Sequence, residues 1–255
     1  MSNILEIREG SILVLEFNRP EKKNALTLDM YRTVTRSLQQ ATRDSGIRAV
    51  LFRGNSDVFT AGNDLDDFLN HPPTDESSPA FTFLLTLSEF PKPVVAAVNG
   101  LAIGVGTTML LHCDLVCAAD NARFSVPFIN LGLCPEGGSG MLLPAIAGYQ
   151  RAAEKLMLGE PFTAVEAERM GFVNRILPAA EVSAFAMTWA QRLAAQPAKA
   201  LSVTKMLLRQ GHGQILRDQM QLEGQHFADL LTSAEAKEAF SAFLERRKPD
   251  FSKFN

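Results

Sequence analysis

Residues 92–111, KPVVAAVNGLAIGVGTTMLL, leave the chain few ways to fold. Val94, Val95, Ala96, Ala97 and Val98 form a short apolar run rich in β-branched residues, which reads as a buried strand. Asn99-Gly100 closes it with a turn signal. Gly104 and Gly106 then stand where a helix is expected to begin, ahead of Thr107, Met109, Leu110 and Leu111. A glycine-lined helix start offers unpaired backbone N–H groups and the positive end of a helix dipole. Such a place suits a negative charge, whether bound or created during a reaction.

The rest of the chain has to bring a charge there and act on it. With 255 residues, 46% of them hydrophobic, there is enough chain for one large domain or two small ones. A formal net charge of -3 does not suit a coat for nucleic acid. Cys113, Cys117 and Cys134 are odd in number and lie in apolar surroundings, so they read as reduced core residues in a reducing compartment. His71, His112, His212 and His226 have no metal-ligand spacing, and no metal site is expected. The start of the chain lacks a signal-peptide pattern, no apolar run is long enough for a bilayer, and the end is not the peroxisomal tripeptide. The expectation is a cytoplasmic protein without a membrane partner.

Before residue 92, Ile4–Arg8 and Ile12–Phe17 read as a hairpin around Glu9-Gly10-Ser11. Asn18–Asn24 is a polar loop with a positive cluster. Thr27 reads as a helix N-cap, with Leu26 and Tyr31 as a hydrophobic staple and a stripe through Met30, Val34, Leu38 and Ala41. Ala49–Phe52 reads as a buried strand. FTAGNDL, residues 59–65, is a turn in which Asp64 caps a helix to about Leu69. HPPTDESSP, residues 71–79, reads as a mobile surface loop, and Phe81–Phe90 as a helix. Beyond residue 111, Leu115–Ala118 reads as another buried strand, and the loop Asn130–Gly140 flanks a single acid, Glu136, with glycines. Thr163 and Glu166 form a capping box ahead of a helix that Gly171 stops. From Val182 the chain is nearly all helical, with breaks at Pro197 and at 211–213, and Thr232…Glu235 opening the last helix. Paired strands before each helix argue against a doubly wound sheet and for stacked ββα turns.

Several nucleotide and hydrolase signatures fail. Gly104-Val105-Gly106 is followed by Met109, so GxGxxG is incomplete, and there is no Walker A motif. Gly137-Gly138-Ser139-Gly140 is not a nucleophile elbow. What remains is a pair of backbone-donor turns, Ala61-Gly62 and Gly104-Val105-Gly106, whose N–H groups could converge on one oxygen as an oxyanion hole. Each cluster taken alone also reads as a tight turn.

The runs RPEKKNALT, FTAGNDL, KPVVAAVNGLAIGVG, NLGLCPEGG and FLERRKPDF, in this order, resemble the enoyl-CoA hydratase/isomerase, or crotonase, superfamily. The resemblance covers nearly the whole chain. It implies an α/β fold, a spiral of ββα turns over residues 1–195 that binds acyl-CoA, and a C-terminal helical region, 196–255, that builds trimers or hexamers. It implies an acyl-CoA thioester substrate whose carbonyl oxygen becomes an enolate held by the N–H groups of Ala61 and Val105. No separate cofactor is implied, because coenzyme A enters with the substrate. The resemblance places coenzyme A near Lys22, Lys23, Ala25, Asn63 and Asp64, with Arg246 and Lys248 reaching a phosphate. Thr108 is a further substrate-binding candidate, and Leu65, Phe68, Phe128 and Leu133 would wall the acyl pocket, though plain core packing is an equal reading of each of these four.

Hydratases of this superfamily carry two glutamates, at positions held here by Thr108 and Phe128. Both acids are absent, so paired-carboxylate activation of water has no carriers. Glu136, in Pro135-Glu136-Gly137, resembles the single acid of the Δ3-Δ2-enoyl-CoA isomerase branch. One carboxyl suffices for a 1,3-proton shift, and burial is expected to raise its pKa. Glu136 also reads as a solvated loop acid or a helix cap. Another enolate reaction (a different isomerisation, thioester hydrolysis or weak hydration) and a non-catalytic acyl-CoA-binding module remain open alternatives.

Overall fold

A computed structural model describes residues 2–55, 57–72 and 77–254. Part of the expected surface loop, residues 73–76, therefore lies outside the described residues. The chain opens with β1 (Ile4–Glu9) and β2 (Ile12–Phe17), paired antiparallel as the hairpin pattern predicts. Next come α1 (Leu28–Arg43), β3 (Ala49–Gly54), α2 (Leu65–Asn70), α3 (Pro79–Ser88), β4 (Val94–Val98) and β5 (Leu101–Ile103). The middle holds α4 (Val105–Thr108), β6 (Leu115–Ala119), β7 (Arg123–Ser125), α5 (Ser139–Ala147), α6 (Tyr149–Leu158), β8 (Phe162–Thr163), α7 (Ala164–Met170) and β9 (Arg175–Leu177). Four helices end the chain: α8 (Val182–Ala194), α9 (Ala198–Gln210), α10 (Gly213–Leu231) and α11 (Ala234–Leu244).

Two sheets result, in the orders β1-β2-β3-β4-β6-β9 and β5-β7-β8. Consecutive strands on either side of a tight turn enter different sheets: β4 and β5 diverge at Asn99-Gly100, and β6 and β7 diverge at residues 120–122. This is the expected spiral of ββα turns, and the parallel pairs β2–β3, β3–β4, β4–β6 and β6–β9 stack its turns. β4 is buried along its whole length. Its Ala96 sits beside Phe52 in the register, so a small side chain leaves room for a large one. Phe17, Phe52, Phe59 and Phe83 meet in edge and stacked contacts beneath this sheet.

Local signals place the flanking helices. The Thr27 hydroxyl accepts from Met30 N–H, and the Thr163–Glu166 capping box is complete, with Gly171 left-handed at the stop. The last helix opens one residue later than expected, where the Ser233 hydroxyl accepts from Ala236 N–H, and it ends at Leu244. The stretch after β4 differs more. β5 precedes the glycines, and α4 spans only four residues before tightening into a 3-10 turn over Met109–His112. So short a helix carries little macrodipole. Individual N–H groups, not a helix field, are what this turn offers an anion.

The three cysteines are free thiols, as expected, with Cys117 buried and Cys113 and Cys134 partly buried. Burial pushes the Cys113 and Cys117 thiols up to about 12 and that of Cys134 up to about 11. No helix among the described residues is long and apolar enough to cross a membrane.

Candidate active site

Two turns distant in sequence are stitched together at the edge of the second sheet. Thr60 N–H donates to Leu101 O at 2.9 Å, and Ile103 N–H returns to Thr60 O at 3.1 Å. Glycine permits this approach. Gly62 has φ +88°, and a Cβ there would lie 2.7 Å from Ile103 O. A Cβ on Gly106 would lie 2.5 Å from the Thr60 methyl. Gly62→Ala is therefore expected to destabilise the protein by about 1–3 kcal/mol through a forced positive φ and a backbone clash, read as a lower urea midpoint at unchanged m. Asn24, fully buried at φ +55°, knits the preceding loop to the same turn. Its carboxamide donates to Val58 O at 2.8 Å and accepts from Arg19 N–H at 2.8 Å, and its carbonyl accepts from the Thr60 hydroxyl at 2.7 Å.

Accounting for each N–H in these turns corrects one expected donor. Ala61 N–H donates to Lys23 O at 3.0 Å and is not free for a ligand. Gly62 N–H donates to the Thr60 hydroxyl, Gly104 N–H to Ser125 O, and Thr107 and Thr108 N–H to Gly104 O. Among the described residues, the N–H groups of Asn63, Val105 and Gly106 have no protein acceptor. Asn63 and Val105 line one cavity of about 580 Å³, and Gly106 does not. The donor pair available to an oxyanion is thus Asn63 and Val105. The sequence shows which turn supplies donors, but not which of its amides a neighbouring carbonyl has already taken.

Glu136 lines an adjoining cavity of about 400 Å³, together with Asn63, Tyr31, Leu84, Phe81 and Phe227. The two cavities share Asn63, Asp64, Phe68 and Phe227. Thr108, fully buried at the position expected of a hydratase acid, donates its hydroxyl to Glu136 Oε1 at 2.8 Å. Burial pushes the Glu136 carboxyl up to about 7; the Thr108 bond works against that rise and the charge of Glu223 adds to it. The other carboxyls on this wall are engaged. Burial raises Asp64, but hydrogen bonds from Arg19 and Asp67 N–H and the charges of Arg19 and Lys22 hold it below the usual range. Asp67 accepts from Leu28 N–H at 2.8 Å.

Residues the sequence reading left unassigned fix the Glu136 loop. His112 is buried, and burial lowers its imidazole to about 4 against the opposing bond to Gly137. It is therefore neutral at pH 7, and because Gly137 O can only accept, the Nε2 proton is the one donated across 2.7 Å. From α10, Glu223 accepts from Gly138 N–H at 2.6 Å and Gly140 N–H at 2.9 Å, capping α5 from outside. Burial raises its pKa, held back by bonds from Gln219 and those two amides. Nothing in the local pattern around Glu223 marks this; only the fold brings α10 to the loop.

The expected wall residues Leu65, Phe68, Phe128 and Leu133 do line the larger cavity, as do Lys22, Ala25, Asn63 and Asp64. Phe128 packs against Phe227 with ring centroids 6.3 Å apart. Four expectations need correction. Thr108, fully buried with its hydroxyl on Glu136, lines neither cavity. Lys23 is exposed and off both cavities, acting through its carbonyl on Ala61. Arg246 and Lys248 are exposed and line neither cavity. Left-handed Arg246 (φ +56°) turns the chain so that Arg247, the residue between them, reaches the wall. Arg247 is already paired with Glu238 and Glu245.

The family model for enoyl-CoA hydratase/isomerase matches residues 7–254. The chain is 34% identical over 258 residues to 2,3-dehydroadipyl-CoA hydratase of Escherichia coli (strain K12), covering 98% of this chain and 99% of that protein. It is 38% identical over 208 residues to enoyl-CoA delta isomerase 2 of Homo sapiens, covering 79% of this chain and 52% of that one. A crystal structure of an enoyl-CoA hydratase/isomerase from Pseudoalteromonas atlantica T6c superposes with a TM-score of 0.94 at 40% identity, covering 98% of this chain and all of that one.

Proposed function

The chain belongs to the enoyl-CoA hydratase/isomerase family, whose members act on acyl-CoA thioesters, and on that premise we propose that it is a Δ3-Δ2-enoyl-CoA isomerase. The supporting observation is Glu136: the one carboxyl on the cavity wall lifted to about 7 and free of an ion pair among the described residues. With the thioester oxygen between the N–H groups of Asn63 and Val105, the Glu136 carboxylate removes a proton from C2 of a 3-enoyl thioester. The C2–H electron pair becomes the C1=C2 π bond and the carbonyl π pair moves onto oxygen, giving a dienolate. Collapse of the dienolate takes the same proton from Glu136 at C4, leaves the double bond between C2 and C3, and regenerates the carboxylate. A carboxyl near neutral pH suits both halves, being strong enough as a base and as an acid. The oxygen gains charge only as the proton leaves, so the two amides favour the transition state over the substrate.

Hydration needs a second group to place water. Thr108 instead donates to Glu136, and Phe128 presents a ring to Phe227. Coenzyme A arrives with the substrate and no resident cofactor takes part in these steps. Incubation with 3-hexenoyl-CoA and 2-hexenoyl-CoA tests the reading. Conversion of the first to the second supports it. Dominant hydration of the second rejects it in favour of another enolate chemistry, and binding without turnover leaves only a binding module.

The base must be ionised in free enzyme, and its folded pKa is about 7. kcat/KM is therefore expected to rise about tenfold per pH unit up to that value and then level off, as read from initial rates. The same reading has the subunits assemble as trimers or hexamers. Exposed Met206, Leu207, Leu208 and Ile215 on α9 and α10 support it, and a solution mass equal to one chain would contradict it.

A further inference from the structure

Tyr31 entered the sequence reading only as a packing partner of Leu26, yet its hydroxyl ends at the candidate site. The residue is 3% exposed, and its ring rests against Phe83 with centroids 5.6 Å apart. Phenylalanine would fill that space without a polar group to satisfy. Tyr31 lines the cavity that holds Glu136, and its hydroxyl donates to Asn63 Oδ1 at 2.5 Å. Among the described residues this is the only bond the Asn63 carboxamide makes.

The backbone around Asn63 explains why that bond matters. Leu26 N–H donates to Gly62 O at 2.8 Å, and Asp64 N–H donates to Leu26 O at 2.9 Å. Residues on both sides are thus pinned to Leu26. In such a parallel bridge the N–H of the bridged residue points away from the neighbouring strand. The Gly62–Asn63 peptide is consequently held through its carbonyl alone, and a swivelling rotation about that one hydrogen bond re-aims its unpaired N–H. The side-chain tie to α1 opposes that rotation.

We infer that Tyr31 is a positioning residue for the reaction: by anchoring the Asn63 side chain to α1, its hydroxyl holds the Asn63 N–H on the thioester oxygen. The inference rests on the proposed isomerisation. Burial, with the charge of Glu136 adding to it, pushes the Tyr31 phenol well above its ordinary value, so it remains a donor across the working pH range. No proton moves through it in the reaction.

The test is a double-mutant cycle on Tyr31→Phe and Asn63→Ala, with kcat and KM for 3-hexenoyl-CoA, dissociation constants for hexanoyl-CoA and thermal midpoints. The wild type is assayed first. No turnover by the wild type defeats the proposed isomerisation, and the comparison proceeds only on an active enzyme. Tyr31→Phe is then expected to lower kcat about 10- to 100-fold, with KM and hexanoyl-CoA affinity within about twofold, because misplacing one donor is felt as charge develops. Asn63→Ala keeps the backbone amide and loses only the tie, so it is expected to show the same loss, and the double variant no greater one. Unchanged kcat in a folded Tyr31→Phe overturns the inference, as would a fall confined to thermal stability. Additive losses, or a pH profile that loses an alkaline limb in Tyr31→Phe alone, would assign the hydroxyl an independent role and overturn it too.

Discussion

Glu136→Gln is expected to lower kcat for 3-hexenoyl-CoA isomerisation by about 10³-fold or more, with KM changed about twofold at most. The amide is close in shape to the carboxyl and can still accept the Thr108 hydroxyl, now 2.8 Å from Oε1. What disappears is the group that, in the proposed mechanism, takes a proton from C2 and gives it to C4. A second readout separates lost chemistry from lost fold. The folded pKa, about 7, lies above the unfolded value of 4.5. The folded state therefore holds its proton where the unfolded chain has released it. That contribution is fully present below pH 4.5 and is lost as pH rises through about 7. Glutamine does not titrate, so the variant is expected to gain about 1–2 kcal/mol over wild type at pH 8, discounted for contact with the cavity, and little at pH 4.5. A slower enzyme that is more stable at pH 8 would locate the acid in the proton transfer. An equally active variant would remove Glu136 from the mechanism.

Val105→Pro is the second large effect. Val105 is the first residue of α4, where proline is tolerated because its missing N–H has no partner within the helix. Gly104, with φ +56° and ψ -120°, precedes it, so no side chain meets the ring. The substitution deletes one oxyanion donor and little else. Loss of such a donor costs about 3 kcal/mol of transition-state stabilisation, a fall of about 10²-fold or more in kcat. Hexanoyl-CoA, which develops no charge on its oxygen, should bind within about threefold of wild type by calorimetry. Equal losses in substrate affinity and turnover would show that the amide holds the ground state, or that the turn has been disrupted. Val105→Ala, which keeps the N–H, supplies the control.

The fold was legible in the sequence where local chemistry decides it. The hairpin, the Thr27 and Thr163 caps and the breaks at Pro197 and 211–213 were readable because each rests on residues close in sequence. β5 was hidden because Leu101–Ile103 gains its identity from pairing with β7, which no local pattern announces. The candidate acid was legible because few ionisable residues sit in a glycine-lined loop after a buried strand. The first donor was misplaced by two positions. Ala61 and Asn63 stand in the same turn, and only the carbonyl of Lys23, brought across from the preceding loop, decides between them. Glu223 and His112 escaped for the same reason: each meets the Glu136 loop through tertiary packing.

The placement of α10 ties two traits together. Phe227, on the wall of both cavities, follows one helical turn after Glu223, which grips the amides of Gly138 and Gly140. A shift of this helix that reshapes the room for a longer or branched tail also drags the acid's loop. On the proposed mechanism, substrate range and proton-transfer efficiency are therefore inherited as a single character along α10. Phe81 on α3 lines the same chamber without a hydrogen bond to that loop, and it is where an engineer, or a drifting lineage, can change one trait and leave the other intact, whereas Leu84 packs against Gly137 in the loop itself.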